Sequence, residues 1–172
     1  MTETKVQKDN VVLIGMPGVG KSTLGVVLAK LMQYKFIDAD LLIQDQCDRS
    51  LQKLIDACGP EGFVEVENEV LSELETSQSV IATGGSAVYS QEAMEHLTQI
   101  GTVVYLRVAP EELGRRLGDL EHRGVVMMGG KAMSLEELYD ERQPLYEKYA
   151  EVTVDIDGLD IADAAHKVAA AL

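Results

Sequence analysis

Nine consecutive residues, "GMPGVGKST" at 15–23, carry the strongest chemistry in the chain. Gly15, Gly20, Lys21 and Ser22 stand at the spacing G-x-x-x-x-G-K-[ST], in which glycines let backbone N–H groups turn inward onto phosphate oxygens. Gly18, Val19, Gly20, Lys21, Ser22 and Thr23 are therefore the expected nucleotide-binding stretch. A helix opening near Lys21 adds the positive end of its dipole. In this arrangement the Lys21 ammonium neutralises the β- and γ-phosphates and the Ser22 hydroxyl ligates Mg²⁺. A second acidic cluster, "FIDAD", brings Asp38 and Asp40. Beside a phosphate loop, one of these carboxylates can hold the cation through water while the other faces an acceptor hydroxyl. Alone, the pair is also what a solvated strand end looks like.

Groups of these kinds act only if a scaffold brings them together. "NVVLIG" is a short β-branched run ending in glycine, which reads as a buried strand. After it, Leu24, Val27, Leu28 and Leu31 fall on one helix face. "YKFIDAD", "SVIATGG", "GTVVYLRV" and "EVTVDI" give four more strands. Helical stretches are read in "LLIQDQC", in "LQKLIDAC" and, beyond the breakers of "GPEG", at Phe63, Val66, Val70, Leu71 and Leu74. "APEELGRRL", "SLEELYDERQPLYEKYA" and "IADAAHKVAAAL" complete the helices, with Pro110 in a first turn and a capping box at Ser134 and Glu137. Near-continuous apolar strands between helices predict an α/β fold, a three-layer α/β/α arrangement around a five-stranded parallel sheet. Ligands in such folds sit at the carboxyl ends of the strands. The clusters at 15–23, 38–40 and 84–86, together with Arg107, all follow strands and are expected to converge there. The stretch from about 118 to 133 has no clean period and is bounded by glycine, as expected of a functional loop.

Bulk properties narrow the partners. The 172 residues suit one domain over 1–172, and the balance of 46% hydrophobic and 26% charged residues is that of a globular chain. A net charge of -14 argues against nucleic acid or an anionic membrane as partner. No apolar run approaches the roughly 20 residues that span a bilayer, and the polar start "MTETKVQKDN" has no signal-peptide core. A cytoplasmic protein is the expectation. Cys47 and Cys58 lack metal-ligand spacing and are expected as reduced, buried or half-buried thiols.

With "GMPGVGKST", "FIDAD", "GFVEVE", "ATGGSAV", "VVYL", "GRRL", Arg123 and "ERQPLYEKYA" in order, the chain resembles the shikimate kinase family from about residue 10 onward. The resemblance implies a P-loop kinase fold, a monomer with a mobile lid at about 118–133, and transfer of the γ-phosphate of ATP, with Mg²⁺, to a hydroxyl of a small carboxylated ring. It implies that Lys21 stabilises the transferred phosphoryl, that Ser22 and Asp38 serve Mg²⁺, and that Asp40 grips substrate hydroxyls and receives the proton. Gly84 and Gly85 are implied to present backbone amides to the substrate, and Arg142 to pair with its carboxylate. Arg116 is implied to stack on adenine, and Arg123 to reach the phosphates from the lid.

Three departures fall on the acceptor side or the lid. Val64 stands where the family has a substrate-binding arginine, Ser86 replaces a third glycine, and the lid reads "RGVVMM" where the family has "RPLL". Shikimate is the leading acceptor. The alternatives are a kinase of the same fold for another hydroxy acid or polyol, and a non-catalytic nucleotide-binding protein. The chain lacks room for a motor's further domains and shows no switch segments of a GTPase.

Overall fold

The computed structural model describes residues 8–117 and 134–172. Five strands form one sheet: β1 (Asn10–Ile14), β2 (Lys35–Asp38), β3 (Ser79–Ala82), β4 (Gly101–Arg107) and β5 (Val152–Asp155). Their order is β2-β3-β1-β4-β5 and every pairing is parallel. Burial follows from the sequence of each strand. "NVVLI" and "SVIA" are buried at every residue and lie inside the sheet, whereas "VTVD" alternates and takes one edge.

The helices are α1 (Lys21–Met32), α2 (Ala39–Cys47), α3 (Leu51–Ser72), α4 (Gln91–Ile100), α5 (Pro110–Leu117), α6 (Leu135–Tyr149) and α7 (Ile161–Ala171). The chain leaves β1 through α1 toward β2 and leaves β3 through α4 toward β4, in opposite directions across the sheet. Right-handed crossovers then place helices on both faces, with α1 packed on α7 and α3 packed on α4. This is the expected three-layer α/β/α fold, and it sets the loop after β1 at the switch point where such sheets bind ligands.

Most of the core is one hydrophobic cluster around the sheet. A second, smaller cluster of Ile43, Leu54, Phe63 and Val70 lies between α2 and α3.

Several local features differ from the expectation. The breakers of "GPEG" are not among them: Gly59, at φ 73° and ψ 172°, leaves helical geometry and divides α3 into two helical halves, the second opening at Pro60. No element is assigned to 87–100 from the sequence, yet these residues form a 3-10 turn (Ala87–Tyr89) and α4. Ala93, Met94, Leu97 and Ile100 make a helical apolar face there, a legible signal. Cys47 is half-buried as expected, but Cys58 is exposed, because it lies on the outer face of α3 next to the bend, where its thiol donates to the Leu54 carbonyl at 2.9 Å.

Candidate active site

The phosphate loop is built by backbone geometry. Gly20, at φ 92°, is the N-cap of α1, and a side chain there would be strained in this left-handed region. No side chain caps the helix and its first turn holds no acidic residue, so the leading amides and the positive helix end face the loop. Lys21, the first residue of α1, is buried, and its Nζ donates to the carbonyls of Gly15 at 2.7 Å and Met16 at 2.9 Å. Burial lowers its pKa to about 8, against the opposing pull of the Asp40 carboxylate.

The acidic cluster sits where β2 becomes α2. Asp38 caps α2, its Oδ1 accepting the amides of Asp40 at 2.9 Å and Leu41 at 3.2 Å. Its other oxygen, Oδ2, accepts the Ser22 hydroxyl at 2.7 Å. A hydroxyl and a carboxylate in contact at the mouth of a phosphate loop form an oxygen-donor pair suited to Mg²⁺, which keeps waters and phosphate oxygens as its remaining ligands. Among the described residues no group of three or more His, Cys, Asp or Glu gathers into an all-protein metal cage. Asp40 points inward, and burial, followed by the negative charge of Asp38, raises its pKa.

The glycines after β3 form the floor between these charges. A Cβ on Gly84 would lie 2.9 Å from Glu67 Oε2 and 3.1 Å from Asp40 Oδ1. On Gly85 it would lie 2.8 Å from Arg142 Nη1 and 2.9 Å from the Pro17 ring. Any side chain at either position would displace the charged groups. Arg142, on α6, is buried, donates from Nε to the Tyr89 hydroxyl at 3.3 Å, and places its guanidinium 5.3 Å from the centre of that ring. Tyr146, one helical turn on, donates to the Gly85 carbonyl at 2.9 Å and so fixes α6 against the same glycine.

One member of the site carries no role in the sequence reading. Glu67 is completely buried, accepts the Ser86 hydroxyl at 3.0 Å through Oε1, and leaves Oε2 without a hydrogen-bond partner among the described residues. Burial pushes its pKa up to about 7, against the pull of the Ser86 hydrogen bond. A signal was available: Glu67 falls on the apolar stripe of Phe63, Val70, Leu71 and Leu74, where a charge is out of place unless it has a task. Ser86, a departure in the glycine motif, is the residue that hydrogen-bonds it.

Lys21, Asp38, Asp40, Glu67 and Arg142 thus lie within electrostatic reach of one another, around Gly84 and Gly85. Arg107 does not join them. Its guanidinium is held by Asp155 through two hydrogen bonds, of 2.6 and 2.7 Å, at the exposed ends of β4 and β5. Arg116 lies on the far side of the loop, donating to the Val19 carbonyl at 3.2 Å and to Glu112 at 2.6 Å. Arg123 and the 118–133 segment lie outside the described residues.

A parallel sheet with a phosphate loop at its switch point, faced by a buried carboxylate and a buried arginine, defines a P-loop phosphotransferase acting on a hydroxyl group. A family profile described as shikimate kinase matches residues 17–172. The shikimate kinase of Francisella tularensis (strain FTNF002-00 / FTA) is 36% identical over 165 residues, 95% of this chain and 94% of that one. That of Thiobacillus denitrificans is 39% identical over 150 residues, 87% and 82% of the two chains. The solved shikimate kinase from Acinetobacter baumannii in complex with shikimate superposes with a TM-score of 0.85 at 30% identity, covering 98% of this chain and 95% of its own. The chain belongs to the shikimate kinase family.

The Lys21 pKa has a kinetic consequence. In the free protein its charge is lost as pH rises through about 8, so kcat/KM for the phosphoryl donor should fall above that pH. Bound phosphates restore the charge, so kcat should hold to higher pH. Initial rates across pH at limiting and saturating donor test this. A kcat/KM that stays flat well beyond pH 8 would rule it out.

Proposed function

We propose that the chain transfers the γ-phosphate of ATP, in the presence of Mg²⁺, to a hydroxyl of shikimate. The observation that carries this reading is the cluster around Gly84 and Gly85: a half-buried carboxylate, Asp40, for a hydroxyl and a buried guanidinium, Arg142, for a carboxylate, beside a loop suited to a triphosphate. The relative from Acinetobacter baumannii was solved with shikimate, which supports the same acceptor here.

ATP supplies the phosphoryl group, and Mg²⁺ shields its charge when held by Ser22 and, through Asp38, by water. Residues 18–23 cradle the phosphates, and Lys21 neutralises the charge that grows on the oxygens in flight. Asp40 orients the acceptor hydroxyl and takes its proton, a role suited to a carboxylate whose pKa burial has raised. Arg142 pairs with the substrate carboxylate, and the amides of Gly84 and Gly85 face the ring. Arg116 flanks the adenine, and Arg123 completes the phosphate contacts. A single domain over 1–172, a monomer and a cytoplasmic location belong to the same proposal. No helix among the described residues is long and apolar enough to cross a membrane.

A second reading, a hydroxy acid or polyol other than shikimate, is favoured by Val64. This half-buried residue lines a cavity of about 600 Å³ together with Tyr89 and the carboxylates of Glu65, Glu69, Glu92 and Glu95. That lining includes none of Lys21, Asp40, Gly84, Gly85 and Arg142, so the second reading rests on the missing arginine: a carboxylated acceptor would have Arg142 and no second cation from position 64. Steady-state kinetics of wild type and Val64→Arg with shikimate separate the two readings. For shikimate, the added arginine should lower KM by about one order of magnitude with little change in kcat, because a carboxylate contact is made in ground and transition states alike. Absence of shikimate turnover in both proteins would refute the first reading and favour the second.

A further inference from the structure

The sheet order divides the loops around β1 into two sets. Asp38, Asp40, Gly84 and Gly85 follow β2 and β3 on one side, and the ends of β4 and β5 lie on the other. A donor whose terminal phosphate meets Asp40 must therefore run its remaining part toward the β4–β5 side.

A connected set of hydrogen bonds closes that side. Arg116 Nη1 donates to the Val19 carbonyl of the phosphate loop, and Nη2 donates to Glu112 Oε1. The two oxygens of Glu112 accept the Gly158 amide, at 3.2 and 3.1 Å, in the turn between β5 and α7. Asp157 Oδ1 accepts the Ala109 amide at 2.8 Å and ties that turn to the start of α5. Ile161, opening α7, abuts the phosphate loop at Gly20, where a Cβ would stand 3.3 Å from its Cδ1. Glu112 is the side chain that joins Arg116 to the Gly158 turn, and both it and Arg116 are mostly shielded from solvent, their side chains 20% and 27% exposed.

A guanidinium is planar and stacks on flat rings, but only when its plane is fixed. A charged hydrogen bond to a carboxylate fixes it. We propose that Glu112 is a positioning residue for the donor's base, holding the Arg116 plane and the Gly158 turn as the two flanks that receive a purine ring. This rests on ATP being the donor. Without Glu112 the guanidinium keeps, among the described residues, only the Val19 carbonyl, and the Gly158 amide, in a turn at φ 69°, loses its acceptor.

Inorganic tripolyphosphate, which has the phosphates and no base, separates this role from general damage to the loop. In calorimetric titrations of the full chain, Glu112→Ala should weaken ATP about tenfold and leave tripolyphosphate within about twofold. Glu112→Gln keeps an oxygen for the Gly158 amide and should recover part of the loss. In steady state the donor KM should rise while kcat holds, as for a contact shared by ground and transition states. Unchanged ATP affinity in Glu112→Ala overturns the proposal, as does an equal loss for ATP and tripolyphosphate. Should the alanine variant fail to fold, a loss in Glu112→Gln confined to ATP supports the proposal, and a loss shared with tripolyphosphate overturns it. Wild-type protein that binds ATP more tightly than tripolyphosphate yet phosphorylates no shikimate would defeat the proposed function and leave this inference standing.

Discussion

Lys21→Ala is expected to reduce kcat by about 10²–10³-fold or more, the loss found when a preorganised group opposite transition-state charge is removed. The cause is specific to this site. The ammonium is buried and held by the Gly15 and Met16 carbonyls at the mouth of the phosphate loop. Water that enters the alanine variant must reorganise during the reaction, whereas Nζ is already placed. The fold should survive, because burial disfavours the charged lysine and its removal leaves no unpaired ion of its own. Single-turnover rates, with circular dichroism and thermal melts as controls, give the comparison. Turnover near wild type on any acceptor would exclude phosphoryl transfer at this loop.

Asp40→Asn should lower kcat by about 10²–10⁴-fold, the range for loss of a general base. Asparagine keeps the volume and one acceptor oxygen, so the acceptor KM should change far less than kcat. What it loses is the capacity to take a proton. The acid limb of the wild-type pH profile, set by a carboxylate that burial and Asp38 raise above the ordinary aspartate range, should disappear in the variant. Survival of that limb with kcat within about tenfold of wild type would move the proton acceptor elsewhere, with Glu67, across Gly84, the nearest candidate.

Much of this site was legible because its chemistry is contiguous in sequence. A phosphate loop needs its glycines, lysine and serine within nine residues, and each strand that supplies a neighbour ends in a short polar cluster. The five strands were equally legible, since each is a brief apolar run between turn signals. Glu67 was missed for the opposite reason: its role is created by burial beneath Gly84 and by Ser86, nineteen residues further on. Arg107 stands at the carboxyl edge as expected, but strand-end position says nothing of a rival partner, and Asp155 on the neighbouring strand holds it away from the site. The helix α4 carried an adequate apolar period and went unread. The kink in α3 was legible in its breaker residues. Gly59 leaves helical geometry and ends the first half, and Pro60 opens the second, where it needs no amide donor.

The small cluster of Ile43, Leu54, Phe63 and Val70 has a consequence for how the two halves of the site hold their shape. Asp40 rides on α2 and Glu67 on the second half of α3, elements that share this separate core, whereas the phosphate loop is rooted in β1 and α1 within the main one. Regions with their own limited apolar contacts open at lower free energy than the sheet they flank. The α2–α3 pair, tied to the main cluster through Ala39 and Leu71, is therefore expected to open more readily than the sheet. Arg142 belongs to α6, on the main body, so an acceptor that bridges Asp40 and Arg142 would fasten α2 to the firmer part. Acceptor binding then stabilises the region that receives it more than it stabilises the protein as a whole.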